Sequence, residues 1–105
     1  MTITDLKPEP RLRLERLDDV AYVLRAVSHP IRLAIIDVLD QRDSISVGEL
    51  CGILSVEQRQ LSHHLAKLRE QRIVKTRREG QHVRYTLAER RITAIIPCIQ
   101  ACINK

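Results

Sequence analysis

Long apolar segments are missing from this 105-residue chain. No run approaches the roughly 20 consecutive apolar residues that a membrane-spanning helix needs, so we expect no membrane association. Internal repeats and a second linker are also absent. Nothing near Met1 has the basic, apolar and small-residue succession of a secretory signal, and the three cysteines are an odd number. These absences favour a reduced, cytoplasmic setting.

The length leaves room for one domain. A domain of this size exposes a large share of its apolar surface unless it finds a partner, so we expect oligomerisation. Residues 1–11, with Pro8 and Pro10 among charged neighbours, are expected to be a flexible leader. Residues 12–105 are expected to form the folded domain.

Positive charge is concentrated in one part of the sequence. The chain carries 18 Lys and Arg against 13 Asp and Glu, but residues 56–91 alone hold 10 of the cations and only 4 of the acids. A local basic surface of this kind attracts phosphates, mainly through release of counterions. We therefore expect a nucleic-acid partner and binding that weakens steeply with salt.

Four helices are predicted outside this basic region or at its end, from apolar residues that recur at steps of three and four. Pro30 suits a first helical turn, and Ser46 and Glu49 have the spacing of a capping box. Pro97 is expected to bend the last helix. The four predictions are residues 12–27, a helix from Pro30 to about Leu39, a short helix over residues 50–54, and a last helix over about residues 89–103.

The basic region itself predicts a helix followed by a hairpin. The helix, which we name the reader helix, begins at Ser55 or Glu57 as alternative caps and ends near Gln71, with Leu61, Leu65 and Leu68 on one side. Two strands follow, over residues 73–78 and 82–87, around a turn at residues 79–81. The hairpin is named the wing.

Together these elements predict a mainly α winged helix-turn-helix with a two-stranded β wing before the last of five helices. Four segments resemble successive signatures of the ArsR/SmtB regulators, over about residues 15–103. They are AVSHPIRL at 26–33, VGEL at 47–50, LSHHLAKL at 61–68 and REGQHVRYTL at 78–87. The resemblance implies a repressor that is a two-fold homodimer through its terminal helices and reads an inverted-repeat operator in double-stranded DNA.

Ten polar side chains are candidates for DNA contact. Arg can pair with guanine and Gln with adenine in a major groove, whereas wing cations are suited to phosphates or a minor groove. His64, beside the buried stripe, is expected to have a structural role between helices. The reader-helix candidates are Gln58, Arg59, Gln60, Ser62, His63 and Lys67, and the wing candidates are Arg77, Arg78, Gln81 and His82.

The cysteines leave the regulatory signal open. Arsenite-responsive relatives carry two thiols where this chain has Cys51 and Ile53, and the position of a zinc site in the last helix holds cations at Arg91 and Lys105. Cys98 and Cys102 neighbour each other at i, i+4. Three alternatives are open for these two residues together with Cys51. They are a site for a soft metal or metalloid ion (arsenite, Cd, Cu(I) or Zn), a thiol switch, or small apolar fillers beside an isoleucine stripe.

Other functions remain as alternatives. A non-specific architectural or RNA-binding protein, a family member without any metal site and a protein-binding module would all suit parts of the pattern. An enzyme is not expected, because Cys51 with His63 or His64 is the one nucleophile and base set available and a solvent-facing helix offers no enclosed site.

Overall fold

A computed structural model describes residues 7–104 and has the winged helix-turn-helix that the sequence predicts. The predicted leader, residues 1–11, lies partly outside the described residues. Within residues 7–104 there are five α-helices, α1 Leu17–Val27, α2 Pro30–Gln41, α3 Val47–Leu54, α4 Gln58–Glu70 and α5 Ile96–Ile103. The same residues contain three strands, β1 Ile45–Ser46, β2 Val74–Glu79 and β3 His82–Leu87, and two 3-10 helices, Leu14–Arg16 and Arg90–Ile95.

Two helices begin at side chains that satisfy early backbone amides. At the start of α2, Nδ1 of His29 accepts a hydrogen bond from the Ile31 amide at 3.1 Å, and Pro30 occupies the first turn. At the start of α3, Ser46 and Glu49 form the predicted capping box, in which each side chain accepts from the other residue's backbone amide. Both starts follow from local sequence.

The reader helix, α4, is fastened to the core along one side. Its side chains Leu61, Leu65 and Leu68 are fully buried, as the predicted stripe requires, and His64 is 6% exposed. They pack with buried residues of α1, α2, α3 and the sheet, among them Ile35, Ile36, Leu39, Leu50 and Val74. Burial of this stripe leaves the opposite side of α4 to solvent.

The predicted two-stranded wing is present as β2 and β3, and a third strand that we did not predict, β1, extends its sheet. The strand order is β1-β3-β2 and both pairings are antiparallel, with Ile45 opposite Tyr85 and Thr76 opposite Tyr85 from the other side. β1 has only two residues, which is too short for an alternating pattern to appear. Because Ile45 is fully buried, β1 joins the base of the wing to the core.

The end of the chain also differs from the prediction of one helix over residues 89–103 with a bend at Pro97. A 3-10 helix over Arg90–Ile95 is followed by a separate α-helix, α5, and Pro97 lies in the first turn of that helix. A proline lacks the amide that an interior turn needs, but a first turn does not use that amide. Pro97 therefore begins a helix.

Apolar side chains stay exposed on α1 and at the end of α5. Val20, Tyr22 and Leu24 are about half exposed on α1, and Ile103 is 73% exposed. A groove of about 590 Å³ lies between α1 and the second 3-10 helix, Arg90–Ile95. Its apolar lining includes Val20, Val23, Leu24, Ile92 and Ile95. In residues 7–104, no helix is both long and apolar enough to cross a bilayer.

Replacement of two glycines by alanine tests the backbone conformation at the wing turn and within α3. Gly80, in the wing turn, has φ +62°, a conformation that disfavours a side chain, whereas Gly52 lies within α3 with no atom within 4 Å of an added Cβ. Gly80→Ala should lower the free energy of unfolding by about 1 kcal/mol. Gly52→Ala should raise it by about 0.5–1 kcal/mol. Urea unfolding at one fixed protein concentration measures both, and equal shifts would contradict this backbone.

Candidate nucleic-acid interface

The outer side of α4 carries the six predicted reader residues, and all six are exposed. A helix turns by about 100° per residue, so Arg59 and His63 point directly away from the buried stripe. Ser62 and Lys67 flank them, and Gln58 and Gln60 lie nearer the two edges. An α-helix with such a face fits a major groove, where Arg59 at the centre is best placed to reach base edges.

The N-terminus of α4 settles which residue caps it. Glu57 is the N-cap residue, with extended backbone and no side-chain hydrogen bond to the helix. Ser55 instead ends α3 in a left-handed conformation with φ 53°. The Glu57 carboxylate is therefore placed at the positive end of the helix dipole, where it is favourable.

Behind α4, His64 is held by an arginine from α2. Nε of Arg32 donates to Nδ1 of His64 at 3.1 Å, and the same guanidinium donates to the carbonyl of Ala26 at 2.9 Å. The ring of His29 lies 4.2 Å from that of His64, centroid to centroid. The prediction that His64 has a structural role between helices is confirmed. The contact of Arg32 with His64 was not predicted, since a single cation in a first helical turn gives no sequence signal for such a contact.

The four predicted wing residues are exposed, but the strand register separates the two arginines. Arg78 lies opposite Val83, on the face that continues into the core through Thr76 and Val74. Arg77 lies opposite Arg84 on the other face, and its guanidinium is 3.2 Å from the Glu79 carboxylate. Gln81 is in the turn and His82 begins β3. Arg77 and Arg78 therefore cannot contact one phosphate from the same face.

Arg84 fixes the wing to the beginning of α3. Its guanidinium donates to Oγ and the carbonyl of Ser44, both at 3.2 Å, and to Oε1 of Glu49 at 2.9 Å. Hydrogen bonds from Ser46, with Arg84 and Arg42 nearby, lower the pKa of Glu49. This network is present above the ordinary carboxylate pKa and is lost as pH falls through the lowered value. In the sequence, Arg84 was marked only by its position between Val83 and Tyr85, which alternate with it along β3.

The three cysteines are not brought together within one chain. In the single chain Cys98 and Cys102 are exposed on α5, whereas Cys51 is half-buried against the core. Across residues 7–104, no three His, Cys, Asp or Glu side chains come close enough to hold one metal ion. Both carboxylate oxygens of Glu89 already accept hydrogen bonds from Arg91, at 2.7 and 2.9 Å.

Comparisons with known proteins bear directly on this geometry. Residues 27–77 match the model of a helix-turn-helix domain family. The biofilm growth-associated repressor of Agrobacterium fabrum is 40% identical over 87 residues, which are 83% of this chain and 74% of that protein. A transcriptional repressor SmtB homolog from Synechocystis is 32% identical over 90 residues, 86% of this chain and 67% of that protein. The chain belongs to the ArsR/SmtB family.

A third similar protein adds a structural comparison. The transcriptional activator HlyU of Vibrio cholerae is 42% identical over 74 residues, 70% of this chain and 68% of that protein. A solved structure of HlyU superposes with a TM-score of 0.75 and 33% identity over 89% of this chain and all of that one. The chain is therefore a DNA-binding transcriptional regulator of this family.

Substitutions at Arg59 and Arg77 test base reading and phosphate binding separately. Arg59→Ala should reduce the preference for a cognate duplex over a scrambled one by about 1–3 kcal/mol, the loss expected if Arg59 contacts guanine bidentately. Arg77→Ala should weaken both duplexes alike and lower the salt slope by about one. Binding titrations over a range of salt concentrations measure both effects.

The matched control is Arg25→Ala, which removes the same charge from an exposed position on α1, outside the reader helix and wing. This variant should keep the wild-type preference and salt slope. If Arg59→Ala and Arg77→Ala have the same effects on duplex preference and salt slope, the division between base-reading and phosphate-binding residues is wrong.

Proposed function

We propose that the chain is a cytoplasmic, homodimeric transcriptional repressor that binds an inverted-repeat operator. The observation that carries the proposal is the placement of all ten candidate contact residues on the exposed surfaces of α4 and the wing. These two elements are adjacent in the chain, and α4 packs against β2 at the base of the wing. The domain therefore offers a groove-sized helix next to a hairpin that carries exposed cations.

The partner that completes the binding unit is proposed to be a second copy of the chain. The groove between α1 and the second 3-10 helix, Arg90–Ile95, is lined mainly by apolar side chains. Its charged lining residues are Arg16, Asp19, Glu89 and Arg91. Neighbouring apolar residues on α1 and α5 remain exposed. A self-complementary contact through these helices generates two-fold symmetry, which matches an inverted repeat.

Repression, in preference to activation, is proposed because two of the three relatives described above are named as repressors. HlyU is named as an activator, so the sign of regulation needs its own measurement. A reporter gene placed behind the selected operator should be less active when the chain is expressed. An increase would mean activation.

Selection from a random duplex library tests the DNA preference. The chain should enrich one inverted repeat and bind it roughly 10³-fold more tightly than random duplex at physiological salt. The complex should contain two chains per duplex, as measured by light scattering. Equal affinity for selected and random DNA would favour the non-specific architectural alternative, and enrichment of a single half-site would contradict the dimer.

For release from DNA we propose a signal at Cys98 and Cys102. The two thiols are exposed and lie one helical turn apart on α5, beside the apolar surface proposed for dimerisation. A thiol-reactive compound or a soft metal ion bound there would alter the contact between the terminal helices. The spacing of the two reader helices depends on that contact.

The double variant Cys98→Ser, Cys102→Ser should still bind the operator but should no longer respond to an inducer. The measurement is operator affinity of reduced protein before and after addition of arsenite, zinc, cadmium, copper(I), peroxide or persulfide, one at a time. Cys51→Ser is the matched control and should respond as wild type. A normal response of the double variant would exclude these two thiols.

A further inference from the structure

Three polar side chains meet behind the reader helix, on the side away from the proposed DNA surface. Arg32 comes from α2, His29 from the turn before α2, and His64 from α4. His64 is 6% exposed, and its ring packs at 4.2 Å against His29 and at 5.4 Å, edge-on, against His63. The geometry points to Arg32 as a positioning residue that holds the reader helix in its DNA-binding orientation through a neutral His64.

The hydrogen bond from Arg32 fixes the protonation of His64. An arginine can only donate, so Nδ1 of His64, which accepts from Nε of Arg32, carries no proton. The His64 ring is therefore neutral in this arrangement, with its proton on Nε2.

Protonation of His64 is incompatible with the contact to Arg32. A proton on Nδ1 removes the acceptor and places two cations where a hydrogen bond had been. The groups that face this ring are His29 from the α1–α2 turn, Arg32 from α2 and His63 on α4 itself. Burial, followed by these three neighbours, lowers the pKa of His64 from its ordinary value.

The direction of the pH effect follows from that lowered pKa. The neutral form is the one the folded protein favours, so the contact is intact above the ordinary histidine pKa of about 6.5. It is lost as pH falls through the lowered value in the folded protein. The reader helix should therefore lose its fixed orientation on the acid side of neutrality.

Arg32 also connects the reader helix to α1. Its second bond, to the carbonyl of Ala26, lies in the last turn of α1, the helix that we propose for dimerisation. One planar guanidinium thus spans the end of α1 and the back of α4, which a lysine with a single point charge could not do in the same geometry. The dimer surface and the reading surface are joined through this side chain.

This inference rests on the proposed function, so its test uses the duplex enriched by selection and a scrambled duplex. For the wild type, the preference between them should fall by about tenfold as pH is lowered from about 7.5 through the lowered pKa of His64. His64→Asn should keep the preference at all these pH values, because Oδ1 takes the place of Nδ1 and cannot be protonated. His64→Ala and Arg32→Lys should lose about tenfold already at pH 7.5.

The matched control is Arg25→Ala, at an exposed position on α1 outside the reader helix and wing, which should keep the wild-type preference and its fall with acid. His63 and His82 are the same in both proteins, so the comparison between wild type and His64→Asn isolates the contact behind the helix. Urea unfolding must show that each variant folds cooperatively. A His64→Asn variant that follows the wild-type pH profile, or a His64→Ala variant with wild-type preference, would overturn the role of Arg32.

Nitrogen-resolved NMR of the free protein separates this inference from the proposed function. The Nδ1 resonance of His64 should be that of an unprotonated nitrogen at neutral pH, and the Arg32 Nε–H resonance should change with the same midpoint as His64. If the wild type shows no duplex preference but these signals behave as described, the proposed function fails and the contact stands. A protonated Nδ1 at neutral pH would overturn the contact whatever the DNA result.

Discussion

Burial of Leu61, Leu65 and Leu68 along one side of α4 is the constraint on which the remaining structure depends. Each of the three side chains is fully buried, and removal of one such leucine typically costs a domain about 2–5 kcal/mol. A helix fixed in this way cannot rotate without exposing the stripe. The polar residues between the leucines therefore face solvent, and the surface that we propose for DNA is a direct consequence of core packing.

Apolar packing sets the rotation of the reader helix, but polar contacts connect it to its surroundings. Arg32 ties α4 to the end of α1, and Arg84 ties β3 to the start of α3. Both arginines use several donors of one planar group, which gives direction as well as attraction. The two outermost parts of the DNA surface, helix and wing, are thus each anchored by one partly buried arginine.

The parts of this arrangement that local sequence specifies were predictable. The leucine spacing in α4, the capping box of Ser46 and Glu49 and the alternation in β3 all depend on neighbours within a few residues. The parts that depend on distant residues were not. The two-residue strand β1 exists because β3 lies beside it, and the contact between Arg32 and His64 joins residues 32 positions apart. The same holds for the separation of Arg77 and Arg78, which only the strand register reveals.

The central claim is that the exposed side of α4 and the wing are the surface that holds DNA. Amide NMR of the chain, recorded before and after addition of the selected duplex, tests it most directly. The account predicts that the largest shift changes fall on the residues around Arg59 and His63 and on the wing turn at Gly80 and Gln81, with small changes in α2. Changes concentrated on α2 or β1, with α4 unaffected, would contradict it.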